Sequence, residues 1–341
     1  MSQVTHIQLN KTNLAIRYEL IKSIREFFWL AGFVETDTPN LVKFPGQEPN
    51  LSPMPALIHD ERGKEFKCYL HTSPEYAMKK LLAGGFEKIF NICKCYRDFE
   101  SFGGTHNPEF TMIEWYRANA DFYAIMDDME NLFKFCAEKL SEKFAIDRSV
   151  VSFISQSWER KSMRDLWREF VDVNLDEYLT TEKMRELCAQ KGYNLNADES
   201  YEELFYRIFL NEIEPHLGEK APIIVHHYPT QMAALSKVSV SEIGYAERFE
   251  VYFQGLELAN AFTELTDADE QLRRLLEERT ERGRQGREVY DIDQEFIGAL
   301  SAMPNSAGIA MGVDRMAQIF TKSAEIDNIL TIPMSKLQEN N

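Results

Sequence analysis

Positive charge is in short supply in this chain. Against 55 Asp and Glu there are only 38 Lys and Arg, a formal net charge of −17 over 341 residues. So acidic a molecule repels polyanions, and no long Lys/Arg run offers a track for nucleic acid. Even the stretch Arg273–Arg287 interleaves its arginines with glutamates, as a solvated helix does. Cysteine is scarce as well. Cys68, Cys93, Cys95, Cys136 and Cys188 are odd in number and form no CxxC pair, which argues against a disulfide frame or a zinc site and fits a reducing compartment. Cys93 and Cys95 sit two apart in a strand-like run and point the same way; with no partner ligand nearby, they are expected to be packing thiols. No apolar run is long enough to span a membrane, and MSQVTHIQLNKTN lacks the apolar core of a signal peptide, so the cytoplasm is the expected setting. Internal repeats and linker-like composition are missing too, and one unit over 1–341 is expected.

What is present begins with HNPEFTMIEWYR, residues 106–117. The run is rich in β-formers, yet in strand alternation Phe110, Met112, Glu114 and Tyr116 share one face, which puts a carboxylate between aromatics. Around it, the apolar spacing of Ile16, Leu20, Ile24, Phe27 and Phe28 predicts a helix from about Leu14 that stops at Gly32. Residues 43–66 read as loops with short strands. Ser73-Pro74 opens a helix with Glu75 in its first turn, ending at Gly84-Gly85. Ile89–Arg97 and Glu109–Arg117 read as strands, and residues 121–220 as mostly helical. PIIVHHYP reads as a buried strand. Gln254-Gly255 is a two-residue hairpin signal between Arg248–Phe253 and Leu256–Asn260. Thr266 with Asp269 has the spacing of a capping box, and SAGIAMGVDRMAQIF is a glycine-punctuated strand turning into a helix.

Taken together, Gly32-Phe33 through Pro39, Tyr96-Arg97 through Phe110 and Gly308–Arg315 resemble motifs 1, 2 and 3 of the class II aminoacyl-tRNA synthetases. TSPEY, HNPEFTMIEWY, the ELANAFTEL run and GVDR are similar to the lysine branch of that family. They are more similar still to its short paralogues, which ligate (R)-β-lysine to a lysine of elongation factor P; ERFEVYFQGLELANAF carries this likeness furthest. The resemblance implies an α+β catalytic domain, an antiparallel sheet flanked by helices, with motif 1 near 32–39, motif 2 near 96–117, a helical insertion over roughly 121–220 and motif 3 near 308–315. Since motif 1 arrives by residue 39, no N-terminal anticodon-binding domain is expected, and tRNA charging is not. A homodimer through the motif 1 helix and strand is implied, motivated by the Ile16–Phe28 stripe.

The resemblance also assigns residues. Arg97 would grip the ATP α-phosphate, which suits a guanidinium fork. Phe110 would stack on adenine, with Arg315 on the other face and near the γ-phosphate. Asn107 and Gly312 would line the nucleotide pocket, and Leu258 would touch nucleotide through its backbone. Glu257 would hold Mg²⁺ on the phosphates. Glu264 would face the substrate's side-chain ammonium and share in metal binding. Glu114 and Tyr116 would receive amino groups, with Ser73, Pro74 and Glu75 around the other amino end. Ala310 stands where lysyl-tRNA synthetases usually have glycine, which favours (R)-β-lysine over lysine as substrate. The motif 2 acid is displaced by one position, so Asp98 or Glu100 fills that role. Two other readings remain: an ammonia-dependent amino-acid ligase, and an inactive amino-acid sensor. The first conflicts with the lysine-branch motifs and the second with the intact Arg97, Glu257 and Arg315.

Overall fold

The computed structural model describes residues 2–338. Helix Lys11–Leu30 carries the expected stripe: Ile16, Leu20, Ile24 and Phe28 are all buried. It ends where expected, because Gly32 at φ +78° adopts the left-handed conformation that turns the chain back. There Gly32 N–H donates to Trp29 O and Phe33 N–H to Phe28 O, capping two otherwise orphaned carbonyls.

Eleven strands follow in chain order: β1 (Val34–Glu35), β2 (Leu41–Val42), β3 (Met54–His59), β4 (Glu65–Leu70), β5 (Lys88–Tyr96), β6 (Glu109–Ala118), β7 (Glu159–Ser162), β8 (Ile223–Pro229), β9 (Tyr245–Phe253), β10 (Leu256–Thr263) and β11 (Ser306–Gly312). Eight form one sheet in the order β1-β5-β6-β11-β10-β9-β8-β7, and β2-β4-β3 form a small second sheet. The large sheet is antiparallel except at its edges, where β1 pairs parallel with β5 and β7 with β8. This is the expected α+β arrangement. The β9–β10 hairpin turns through Gln254 (φ +50°) and Gly255 (φ +75°), as its two-residue signal predicts.

The last strand in the chain is central in the sheet. β11 lies between β6 and β10, pairing Gly308 with Tyr116 and Phe262, Ala310 with Glu114 and Asn260, and Gly312 with Met112. Directly opposed residues in antiparallel strands share a face. The smallest side chains of this face therefore run down its middle, leaving a trough flanked by β6 and β10.

The helices sort into layers. Phe122–Lys143 packs with Lys11–Leu30 and Val313–Thr321 in the main core, which includes Phe28, Phe90, Trp115, Met129 and Phe133. Residues from Met163 to Leu217 gather a second core of their own against β8 and β9. Helices Glu75–Ala83 and Gln294–Leu300 meet in a third cluster, where Tyr76 stacks on Phe296 at 4.1 Å. The mostly helical stretch 121–220 is thus divided between two cores and also contributes β7. One local expectation fails. The cap of helix Ala268–Arg284 is Asp267, whose side chain accepts from Asp269 and Glu270 N–H, and not Thr266. A carboxylate at the boundary satisfies two orphan N–H groups and favours the positive end of the helix. Among the described residues no helix is long and apolar enough to cross a membrane.

Candidate active site

At one end of the trough stand the residues expected to receive amino groups. Glu114 is 1% exposed on β6; Ser73 Oγ donates to its Oε1 at 2.5 Å and Tyr116 Oη to its Oε2 at 2.8 Å. Ser73 in turn accepts the Glu75 N–H at 3.1 Å, so the Ser73-Pro74 helix start is fastened to the strand. Burial first, and Glu75 second, push the Glu114 carboxyl well above the usual range. Ala310, half-buried, lies between Glu114 and Asn260. The glycine two residues earlier is a steric necessity. A Cβ at Gly308 would overlap the Tyr116 ring and come within 2.8 Å of Glu264 Oε1.

Glu264 is not left open to a ligand in this arrangement. Lys79, 1% exposed, sets its ammonium 2.6 Å from Glu264 Oε2 and 2.6 Å from Glu75 Oε1. These two carboxylates hold the Lys79 ammonium above its ordinary pKa despite burial. A cation already on Glu264 fits poorly with a second, divalent one. Sequence reasoning missed Lys79, whose only signal was its place one helical turn after Glu75.

At the other end of the trough, Arg97 lies over the Phe110 ring, 5.0 Å from its centre. The Arg97 Nε is buried and has no hydrogen-bond partner among the described residues. Arg315 faces it from the far strand end: its Nη1 donates to Glu257 O at 2.7 Å and its Nη2 meets His106 Nε2 at 3.1 Å. Burial, then Arg315, keeps His106 below its ordinary pKa, so it accepts that bond as a neutral imidazole. Gly312 precedes the helix at φ −74°, and a Cβ there would meet only the Arg315 stem at an ordinary 3.7 Å. Neither backbone nor packing demands glycine, so its open face suits a nucleotide. Leu258 buries its side chain in the main core, leaving only its backbone toward the trough.

Burial, and then Glu250, raise the Glu257 carboxyl to about 7. Glu250 was not anticipated. It is 3% exposed and accepts from Tyr228 Oη, Tyr252 Oη and Arg248 Nη2 at 2.6 Å each. Glu250, like Glu264, already carries a cationic side chain, here Arg248 Nη2 at 2.6 Å, so Glu257 is the carboxylate that fits a hard divalent cation.

In the motif 2 loop the two candidates for the displaced acid stand differently. Asp98 is exposed and caps its own turn by accepting Phe99 N–H at 2.9 Å, whereas Glu100 leans to within 4.0 Å of His106. Asn107 spends its amide on the fold: Nδ2 donates to Glu109 O at 2.6 Å and Oδ1 accepts Met334 N–H at 2.9 Å. It anchors the loop, while the second Nδ2 hydrogen and the second Oδ1 lone pair are not used by these two bonds. Nearby, Gly104 N–H donates to Glu325 and Gly104 O accepts Ile326 N–H at 2.7 Å, so the loop is fastened along 318–334. The two thiols of β5 also depart from expectation. His71, distant in sequence, folds against Cys93 and Cys95 and supplies the nearby ligand they lacked.

This sheet, with its arginines at one end and its buried carboxylates at the other, is that of a class II synthetase. The chain belongs to the family described as tRNA synthetases class II (D, K and N), whose model matches residues 5–336. Among curated relatives, it is 34% identical over 335 residues to the elongation factor P–(R)-beta-lysine ligase of Actinobacillus succinogenes, covering 96% of each chain. It is 36% identical to the ligase of the same name from Avibacterium paragallinarum, over 93% of this chain and 94% of that one. For the Pasteurella multocida ligase the identity is 35% over the same shares.

Proposed function

We propose that the chain activates (R)-β-lysine, or lysine, with ATP and Mg²⁺ as an aminoacyl-adenylate and transfers the acyl group to a lysine side chain of elongation factor P. The name shared by relatives of matching length supports the acceptor. The observation that carries the substrate is the Glu114 carboxylate, buried at the trough's end and gripped by Ser73 and Tyr116. Burial holds this acid toward its neutral form, and a substrate ammonium beside it would stabilise its charged form, so the site favours an ammonium group.

In this reading Phe110 is the adenine plate. Arg97, now resting on that ring, swings to the α-phosphate and satisfies its orphaned Nε. Arg315 takes the leaving pyrophosphate end, held ready by Glu257 O and His106. Glu257 would hold Mg²⁺, which supplies charge neutralisation on the phosphates. The substrate carboxylate then attacks the α-phosphorus in line, and positioning and charge do the rest. Ala310 narrows the floor beside Glu114, which favours the β-amino acid. The whole chain acts as one catalytic unit in this account.

ATP–pyrophosphate exchange tests it. (R)-β-lysine should outperform L-lysine, and arginine and aspartate should be poor. Incubation with elongation factor P should add the mass of one β-lysyl group. Arg97→Ala should slow exchange by about a hundredfold, the loss of roughly 3 kcal/mol of oxyanion stabilisation. A preference for aspartate, or robust charging of total tRNA, would sink the proposal.

A further inference from the structure

Beside the trough lies a group of side chains for which the ligase chemistry has no use. Cys93 and Cys95 project from the same face of β5 with their sulfurs 3.9 Å apart. His71 follows β4, on the segment that leads to Ser73, and one ligating atom from each of the three residues lies within 4.8 Å of the others. His71 and Cys95 are buried and Cys93 is half-buried, so the group is already assembled and is reached from the Cys93 side. His71 Nε2 lies 2.7 Å from Lys94 O. A carbonyl only accepts, so this contact assigns the hydrogen to Nε2 and leaves the lone pair on Nδ1. Proteins orient metal-ligating histidines in this way, one ring N–H held by a backbone carbonyl. The Met112 thioether, 3.8 Å from Cys95 Sγ, adds another soft atom.

A disulfide is the competing use of two close thiols. Residues two apart on a strand place their Cα atoms roughly 6.6 Å apart, at the far edge of what a disulfide spans. Both cysteines are also held in the β5–β6 ladder, Cys93 opposite Met112 and Cys95 opposite Phe110, so the backbone cannot pucker to shorten that span. A metal ion bridges the same sulfurs without moving the strand.

We propose that His71, Cys93 and Cys95 form a binding site for a thiophilic d¹⁰ cation, Zn²⁺ in the first instance, with the fourth position open to water or to the Met112 thioether. Binding releases the thiol protons to solvent, and two thiolates balance the charge of the ion. The hydrogen bond between the two thiols draws Cys93 down to about 6, with His71 lowering it further, and pushes Cys95 up, so Cys93 is the first to supply the ligating thiolate. The bound ion would pin the His71–Ser73 segment to β5.

The test is a titration of the reduced, metal-free full-length chain with Co²⁺, a spectroscopic stand-in for Zn²⁺. One equivalent should bind, produce a thiolate-to-cobalt charge-transfer band in the near ultraviolet, and be displaced by Zn²⁺. Cys93→Ser and His71→Gln should each weaken binding more than about tenfold, with folding checked by circular dichroism. Cys68→Ser, which alters a thiol outside the group, should leave the titration unchanged. The proposal is overturned if the unmodified chain shows no stoichiometric band at micromolar metal. A band that survives in Cys93→Ser, or vanishes in Cys68→Ser, overturns it equally.

Discussion

Lys79 shows how a single residue can be decisive and yet unreadable. In the sequence it is one of two adjacent lysines on an amphipathic helix; in the structure it is 1% exposed between Glu75 and Glu264. Removing one member of a buried ion pair strands the others, at a cost of about 3–5 kcal/mol. Lys79→Met should therefore lower the unfolding free energy by about 3 kcal/mol, read as a lower urea midpoint at unchanged slope. A change under about 1 kcal/mol would mean that water already screens the trio. Glu257 makes a second residue-scale prediction, about pH. Its carboxyl is raised to about 7 by burial and by Glu250, and only the ionised form holds Mg²⁺. The Mg²⁺ concentration needed for half-maximal exchange should thus fall as pH rises from about 6 to about 8. Glu257→Gln should abolish that dependence together with most activity; a flat profile in the unmodified chain would remove Glu257 from the metal site.

Strand β11 governs the pocket at the scale of elements, because its small residues set the depth of the trough. Ala310→Gly should deepen the floor beside Glu114 and move the exchange preference from (R)-β-lysine toward L-lysine, by the roughly tenfold that one methyl group supplies. An unchanged ratio of kcat/KM values would show that selectivity resides elsewhere. The row Phe110–Met112–Glu114–Tyr116 was legible in the sequence, since a period of two needs no partner to be seen. The Schellman turn at Gly32 and the Gln254-Gly255 hairpin were legible for the same local reason. What lay opposite the row was not legible, because β11, last in the chain, inserts between β6 and β10. Chain order does not announce that insertion. So the proximity of Lys79 to Glu264, of Asn107 to Met334 and of His71 to the β5 thiols stayed hidden, as did the use of Asp267 over Thr266 as a cap. Glu250 escaped notice because a glutamate on a hairpin strand looks solvated until its partners, Tyr228 and Tyr252, are placed.

At the scale of the whole molecule, the Ile16–Phe28 stripe does not carry the expected homodimer. It is consumed within the protomer, packed against Phe122–Lys143. The apolar surface left near motif 1 is Trp29 (54% exposed), Leu30 (74%) and Val34 (50%), at the far end of the same helix and on β1. A homodimer seated there should give twice the chain mass in sedimentation at micromolar concentration. Leu30→Asp should return it to monomer with little change in the protomer's own spectrum. A monomer from the outset would remove the proposal. The fastening of the 97–107 loop has a further consequence. Its far end is bolted to Glu325, Ile326 and Met334, the last bond joining residues 227 positions apart. Any opening of this loop must therefore break its bonds to residues 325–334, so the two stretches should move as one piece.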